Sequence, residues 1–293
     1  MAAHEAVIRD AGDTSGASGG GLPTIVIQPS SGWAALRLGE VWRYRELLYF
    51  LTWRDLKLRY KQTLIGAVWA VIQPFMTMVV FAVIFGRLVG VPSDGLPYPV
   101  FAYAALVPWT FFATSMTQAG MSLVRDSNLI SKVYFPRLVS PTASVLSGVV
   151  DFGVAFAVLL GVMAWYGIVP GLAVLTIPFF LLLALLSSLG ISLWLAALNV
   201  KYRDIRYTIP FLTQFWLYAT PVAYPSSLIP EQWRLLYGLN PMAGVIEGFR
   251  WALLGTANPP GAMIVVSASI VIAIFVGGLF FFRRMEREFA DVI

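Results

Sequence analysis

Residues 152–200, FGVAFAVLLGVMAWYGIVPGLAVLTIPFFLLLALLSSLGISLWLAALNV, run without a single Asp, Glu, Lys or Arg. About 20 apolar residues already cross the roughly 30 Å of hydrocarbon in a bilayer, so this run is too long for one helix. It breaks at Gly167 and at Pro170-Gly171, where a turn is cheap and a helix is not. The run therefore predicts two spans, about 139–166, with Asp151 inside it, and about 172–198. Outward from there, the charge-free stretches 62–86, 95–124, 207–230 and 251–282 place further spans at about 67–88, 100–122, 208–224 and 262–282. The expected fold class is an all-α membrane protein with six transmembrane helices.

Composition agrees. The chain is 58% hydrophobic and 12% charged, with a mean hydropathy of +0.76. A soluble domain is typically about 45–50% apolar and about 25% charged. There is no cysteine, which excludes a disulfide, a thiolate nucleophile and a Cys-ligated metal. His4 is the only histidine, which argues against a His-ligated metal or His-based acid–base catalysis. The net charge of +5 raises nucleic-acid binding, but the charges flank spans, so anionic lipid headgroups are the partner expected and nucleic acid is not.

Basic residues set the orientation. With the N-terminus inside, the inner segments hold Arg9, Arg37, Arg43, Arg45, Arg54, Lys57, Arg59 and Lys61, then Arg125, Lys132 and Arg137, then Lys201, Arg203 and Arg206, then Arg283, Arg284 and Arg287. Only Arg87, Arg234 and Arg250 fall outside. Both termini are expected in the cytoplasm. Residues 1–32, with Gly12, Gly16 and Gly19-Gly20-Gly21, read as a flexible tail and not as a signal peptide, since no hydrophobic region suits one. Residues 33–66 read as an interfacial segment, and 67–293 as the six-span domain.

Three segments are neither span nor simple loop. Residues 40–61, EVWRYRELLYFLTWRDLKLRYK, suit a helix in the inner interface, with Trp53, Leu56 and Tyr60 on one face and Arg54, Lys57 and Lys61 on another. Residues 125–137, RDSNLISKVYFPR, are either a plain connector or a docking knob; Asp126 or Ser127 can cap about two helical turns that Pro136 ends. Residues 225–260 predict two short outer helices, about 230–239 and 241–254. The second opens on Asn240-Pro241, has Val245, Ile246, Phe249 and Leu253 on its apolar side, and pairs Glu247 with Arg250. Neither is long enough to cross, so both read as re-entrant or interfacial.

The sequence has no G-x-x-x-x-G-K-[ST] loop: its four lysines are followed by Leu58, Gln62, Val133 and Tyr202. The chain thus shows no means of hydrolysing ATP itself. Asp151 is the one ionisable residue well inside a span, either a functional group or a polar tie between helices. Its solitude weighs against a proton-coupled carrier, and scattered loop carboxylates weigh against a polyprenyl-phosphate glycosyltransferase. Trp109, Phe111 and Phe112 lie deep in the second span. Phe211, Phe215 and Tyr218 share one face of the fifth, open either to helix packing or to stacking on sugar rings.

Three blocks carry a family resemblance: WRDLKLRYKQTLIGAVWAVIQPF at 53–75, NLISKVYFPR at 128–137, and YPSSLIPEQWRLLYGLNPMAGVIEGFRWALLG at 224–255. With them, the chain from about residue 33 resembles the permease subunits of polysaccharide-exporting ABC transporters, which move O-antigen, capsule or teichoic-acid glycans across the bacterial cytoplasmic membrane. The resemblance implies a homodimeric channel for a lipid-linked glycan, above two copies of a separate ATPase subunit. ATP and Mg belong to that partner, and this chain is expected to bind no cofactor of its own. It also implies residue roles. Asn128, Leu129, Ile130, Lys132, Tyr134 and Phe135 fall in the family's coupling helix. Trp53, Arg54, Lys57, Arg59 and Tyr60 fall in its gate helix. Trp233, Asn240, Pro241, Glu247 and Arg250 fall in its outer gate. Trp109, Phe112, Phe215 and Tyr218, with Asp151, become candidates for the substrate path. A permease for a drug or small lipid is the neighbouring alternative.

Overall fold

Tyr98–Gly120 (α4) starts on Pro97 and Pro99, which set the backbone angles of a first helical turn before any packing occurs. Its sequence is apolar on all sides but a stripe of Thr110, Thr114, Thr117 and Gln118, and such a helix is stable only when largely surrounded. Seventeen of its 23 residues are buried. The computed structural model describes residues 5–8, 25–28, 38–61, 66–202, 204–255, 261–286 and 289. The rest of the 1–32 tail lies outside them, as do His4, Arg9, Arg37, Arg203 and Arg287.

Around α4 pack Gly66–Phe81 (α3), continued by a π-helical stretch Ala82–Leu88, then Val139–Trp165 (α7), Ile177–Lys201 (α8), Ile205–Tyr218 (α9) and Pro241–Leu254 (α11). Gly261–Glu286 (α12) lies against α8 and α11. The break expected in the long apolar run is present: α7 ends at Tyr166, Gly167 takes φ +70, and a 3-10 turn Leu172–Thr176 leads into α8. The short helices are α1 (Leu38–Arg43), α2 (Arg45–Lys61), α5 (Ser122–Arg125), α6 (Ser127–Ile130) and α10 (Glu231–Tyr237). Glu5–Ile8 (β1) and Ile25–Gln28 (β2) pair antiparallel; these runs contain the β-branched residues that favour extended backbone.

Among the described residues, five helical stretches are long and apolar enough to cross a membrane: Val71–Val89, Tyr98–Gly120, Val139–Trp165, Leu172–Lys201 and Gly261–Glu286. The fifth span expected at 208–224 differs. Its helix, α9, stops at Tyr218, and 14 residues rise only about 21 Å. Thr220-Pro221 is the reason, because Pro221 supplies no amide hydrogen and disfavours helical backbone before it. The chain still follows α4 along its length. Ile209 lies at Gly120, Trp216 packs edge-on to Phe112 at 5.4 Å, and the Tyr98 hydroxyl donates to the Ala223 carbonyl at 2.6 Å.

The bundle thus has two ends. Tyr98, α10 and the start of α11 define its head; α2, α5, α6 and the ends of α8 and α12 define its base. Helices α8 and α12 meet through glycine. A Cβ at Gly190 would lie 2.8 Å from the Phe275 Cα, and Trp194 stacks on Phe281 at 4.3 Å beside this crossing. Gly190→Val is expected to destabilise the protein by about 1–3 kcal/mol through overpacking. Gly153→Ala, whose Cβ meets nothing within 4 Å, should leave the thermal midpoint in detergent unchanged or raised.

Candidate functional site

At the base two Arg-Asp dipeptides, Arg54-Asp55 and Arg125-Asp126, cross-pair. Arg54 of α2 donates to Asp126 at 2.8 Å and to its own neighbour Asp55 at 2.9 Å. Arg125 reaches Asp55 at 2.9 Å and the Ser144 hydroxyl at 2.9 Å, and the hydroxyls of Ser144 and Ser140 donate to Asp55 and Asp126. Both carboxylates are buried. Burial alone would lower the Arg54 pKa, but the hydrogen bond and charge of Asp55, with the charge of Asp126, hold it above its usual value. These bonds fasten α2 to α5 and α7.

The network sets which side of α2 is packed: Leu56 and Tyr60 of the expected apolar face are half-buried, Lys57 and Lys61 are exposed, and Trp53 departs from that face. Its packed side is Leu51 and Asp55, while Tyr49, Phe50, Trp53 and Leu58 point outward, with the Lys57 ammonium over the Trp53 ring at 5.4 Å. The interfacial helix is also two helices, broken at Tyr44. Likewise, Asp126 does not cap the next helix through its side chain, because two guanidinium groups and a hydroxyl are stronger partners than a backbone amide. Residues 122–130 are accordingly two separate single turns.

The coupling candidates divide by burial. Asn128, Lys132 and Tyr134 are exposed, Tyr134 to 87%, and Leu129 and Ile130 are half-buried. Phe135 is buried among Leu51, Val139 and Ala143, so it serves packing under α2 and presents no docking surface.

One turn further along α2, Arg59 pairs with Asp151 of α7 and donates to Gln118 of α4, and the Tyr60 hydroxyl donates to Asp151. Burial lowers the Arg59 pKa, against the opposing pull of Tyr60 and Asp55. The guanidinium nevertheless stays protonated. Asp151 therefore ties α7 to α2, and the cost of placing it within a span is met by this pairing. Arg59, Tyr60 and Asp151 also border a cavity of about 290 Å³ whose other walls are α3 and α4.

The substrate-path aromatics do not form one surface. Trp109 and Phe112 are buried and packed on each other at 5.5 Å. Phe215 and Tyr218 are exposed and continue a stripe with Tyr207 and Phe211 along α9. A helix predicted from a single sequence reveals which residues share a face, but not which of two faces its neighbours cover.

At the head, α10 and α11 occupy the positions expected, Asn240 caps α11 by accepting from the Met242 amide at 3.1 Å, and Gly255 closes it at φ +64. Trp233 on α10 is exposed. The apolar side expected of α11, Val245, Ile246, Phe249 and Leu253, is buried, and so is nearly every other residue of the helix, between α4, α8 and α12. Gly248 makes this possible, since a Cβ there would run into the Phe180 ring. Glu247 pairs with Arg250 at 3.0 Å.

Arg250 has more to do than that pair. It is 1% exposed, lies 3.6 Å from the Phe101 ring centre, and donates to the carbonyls of Pro221 at 2.6 Å, Val222 at 2.7 Å, Tyr224 at 3.3 Å and Phe101 at 3.3 Å. Those of Pro221, Val222 and Tyr224 belong to the non-helical stretch after α9. The Ala219 carbonyl accepts from Tyr237 at 2.9 Å and Asn240 at 3.1 Å. Burial, then the hydrogen bond with Tyr224, pushes the Tyr237 pKa up and keeps its hydroxyl a donor. Backbone that leaves a helix away from water must find its hydrogen bonds in side chains, and here it does.

Residues 46–254 match the family described as ABC-2 type transporter. The chain is 29% identical over 257 residues to the O-antigen export system permease protein RfbA of Myxococcus xanthus, covering 87% of this chain and 98% of that protein. It is also 29% identical to the RfbA protein of the same description from Klebsiella pneumoniae, over 85% of this chain and 95% of the relative. Similarity to the polysialic acid transport protein KpsM of Escherichia coli is 22% identity over 80% of this chain and 91% of that protein.

Proposed function

The chain belongs to the ABC-2 type transporter family as an integral membrane transport subunit, and from that premise we propose that it is the permease of an exporter that carries lipid-linked polysaccharide across the bacterial cytoplasmic membrane. Two copies form the channel, and two copies of a separate ATPase, holding ATP and Mg, dock below it. The base then lies in the cytoplasm with both termini, and α9 with the stretch after it makes a sixth crossing. The relatives named for O-antigen export and polysialic acid transport support a glycan as cargo.

The observation that carries this reading is the pairing of an exposed turn with a buried anchor. Tyr134 and Lys132 present themselves at the base, and Arg125 and Asp126, in the same segment, grip α2. A push on the turn reaches α2 through those ion pairs, and through Arg59 and Tyr60 it reaches α7 and the cavity. ATP shifts the permease only by binding one of the arrangements more tightly than the other.

The reading predicts that deleting the gene traps lipid-linked polymer on the cytoplasmic side; loss of the polymer altogether would favour a role in synthesis. Tyr134→Glu should leave the protein folded and membrane-inserted, yet lower export about tenfold or more, as removal of a central aromatic anchor costs about 2 kcal/mol at interfaces. Normal export by that variant would count against docking at this turn.

A further inference from the structure

The cavity between α2, α3, α4 and α7 has an unusual wall for the flank of a membrane bundle. Trp69 is 56% exposed at its edge, and Gln73, one turn along α3, is exposed beside it. Across from them stand Gln118, Asp151, Arg59 and Tyr60. Pro74 sits in the same wall and removes the amide hydrogen that the Ala70 carbonyl would otherwise accept in the helix.

The geometry points to a sugar subsite: one pyranose ring of the exported chain stacks on Trp69, with its hydroxyls held by Gln73, Gln118 and Asp151. This rests on the export reading and adds a place and a chemistry to it. An acyl or isoprenoid tail would cover the Gln73 amide with hydrocarbon and offer it no partner, whereas Gln118, Arg59 and Asp151 already bond to one another. A diphosphate does not suit the cavity either. The cation among the lining side chains, Arg59, is already neutralised by Asp151, whose carboxylate would repel an anion. A neutral polyol fits both demands. Its hydroxyls donate to Asp151 and to the amide oxygens and accept from the amide nitrogens, while the apolar face of its ring covers the indole. At about 290 Å³ the space lies at the small end of ligand pockets, room for a ring and not for a polymer segment.

The test complements the deletion strain, with its own ATPase present, and measures surface glycan and membrane protein together. Trp69→Ala and Gln73→Ala should each lower surface glycan about tenfold at unchanged protein level. Trp69→Tyr should retain most export, and Trp69→Leu should fail like alanine. Wild-type export by either alanine variant overturns the subsite, and so does rescue by leucine, which would mark Trp69 as apolar packing. A deletion strain that traps no polymer sinks the export reading itself, whereas trapped polymer with normal export by Trp69→Ala sinks the subsite alone. Direct occupancy is read with Thr114→Cys, in the cavity wall of a chain with no cysteine of its own. Maleimide labelling of this chain in the purified complex should slow with fragments of the strain's polymer and not with inorganic pyrophosphate. The reverse pattern, or no protection by either, overturns the proposal.

Discussion

Arg250→Ala is expected to cost about 3–5 kcal/mol, the range seen when one member of a buried charge pair is removed. The loss has two parts. Glu247 is left without its cation, and the carbonyls of Phe101, Pro221, Val222 and Tyr224 lose their shared donor in a place where water does not replace it. Thermal unfolding of the purified protein in detergent reads this directly. Arg250→Lys should recover only a small part, because an ammonium offers three donors from one point and cannot fan across four carbonyls or stack on Phe101. Glu247→Gln keeps an acceptor for Arg250 and should lose about 1 kcal/mol. If Glu247→Ala impairs export more than it lowers the midpoint, the pair also has a role in movement at the head. An Arg250→Ala protein that melts with the wild type would show that the stretch after α9 holds itself.

The second large effect is expected at the base. Asp55→Asn leaves Arg54 and Arg125 to share Asp126, and Asp126→Asn leaves the same two cations to Asp55. Each should destabilise the protein by about 3–5 kcal/mol and free α2 from α7. Asp55→Asn combined with Arg125→Met should cost less than the two singles added, by about 0.5–3 kcal/mol, since both remove one interaction. A cysteine pair at Leu51 and Val139, which share a buried cluster, reports the separation without background from native thiols. Additive losses, with cross-linking across α2 and α7 undiminished, would show that apolar packing alone holds the helix.

The spans were legible where charge-free runs were long, because lipid leaves few options to a segment that cannot hydrogen-bond to its solvent. The predicted 139–166 corresponds to α7, Val139–Trp165, and 262–282 lies within α12, Gly261–Glu286. The fifth helix ends at Tyr218 and not near 224; hydropathy counts residues and takes no note of the amide hydrogen that Pro221 lacks. Asn240-Pro241 and Glu247–Arg250 were readable as local signals, three residues apart or fewer. The bonds from Arg54 to Asp126 and from Arg250 to Val222 were not: they join residues separated by 72 and 28 positions, and nothing in one sequence marks such partners. The same limit put Trp109 and Phe112 beside Phe215 on a common path, when packing buries the first two and leaves the third outside.

Because α4 is enclosed by its neighbours over most of its surface, and is open mainly where Thr110, Thr114 and Gln118 face the cavity, it has little flank left for lipid to wet. Any rearrangement of this subunit has to take place around it, as the spokes of a wheel turn about an axle. A fluorophore or spin label that replaces Trp109 should therefore stay silent through the transport cycle, a built-in baseline against which signals from α2 and α9 can be measured.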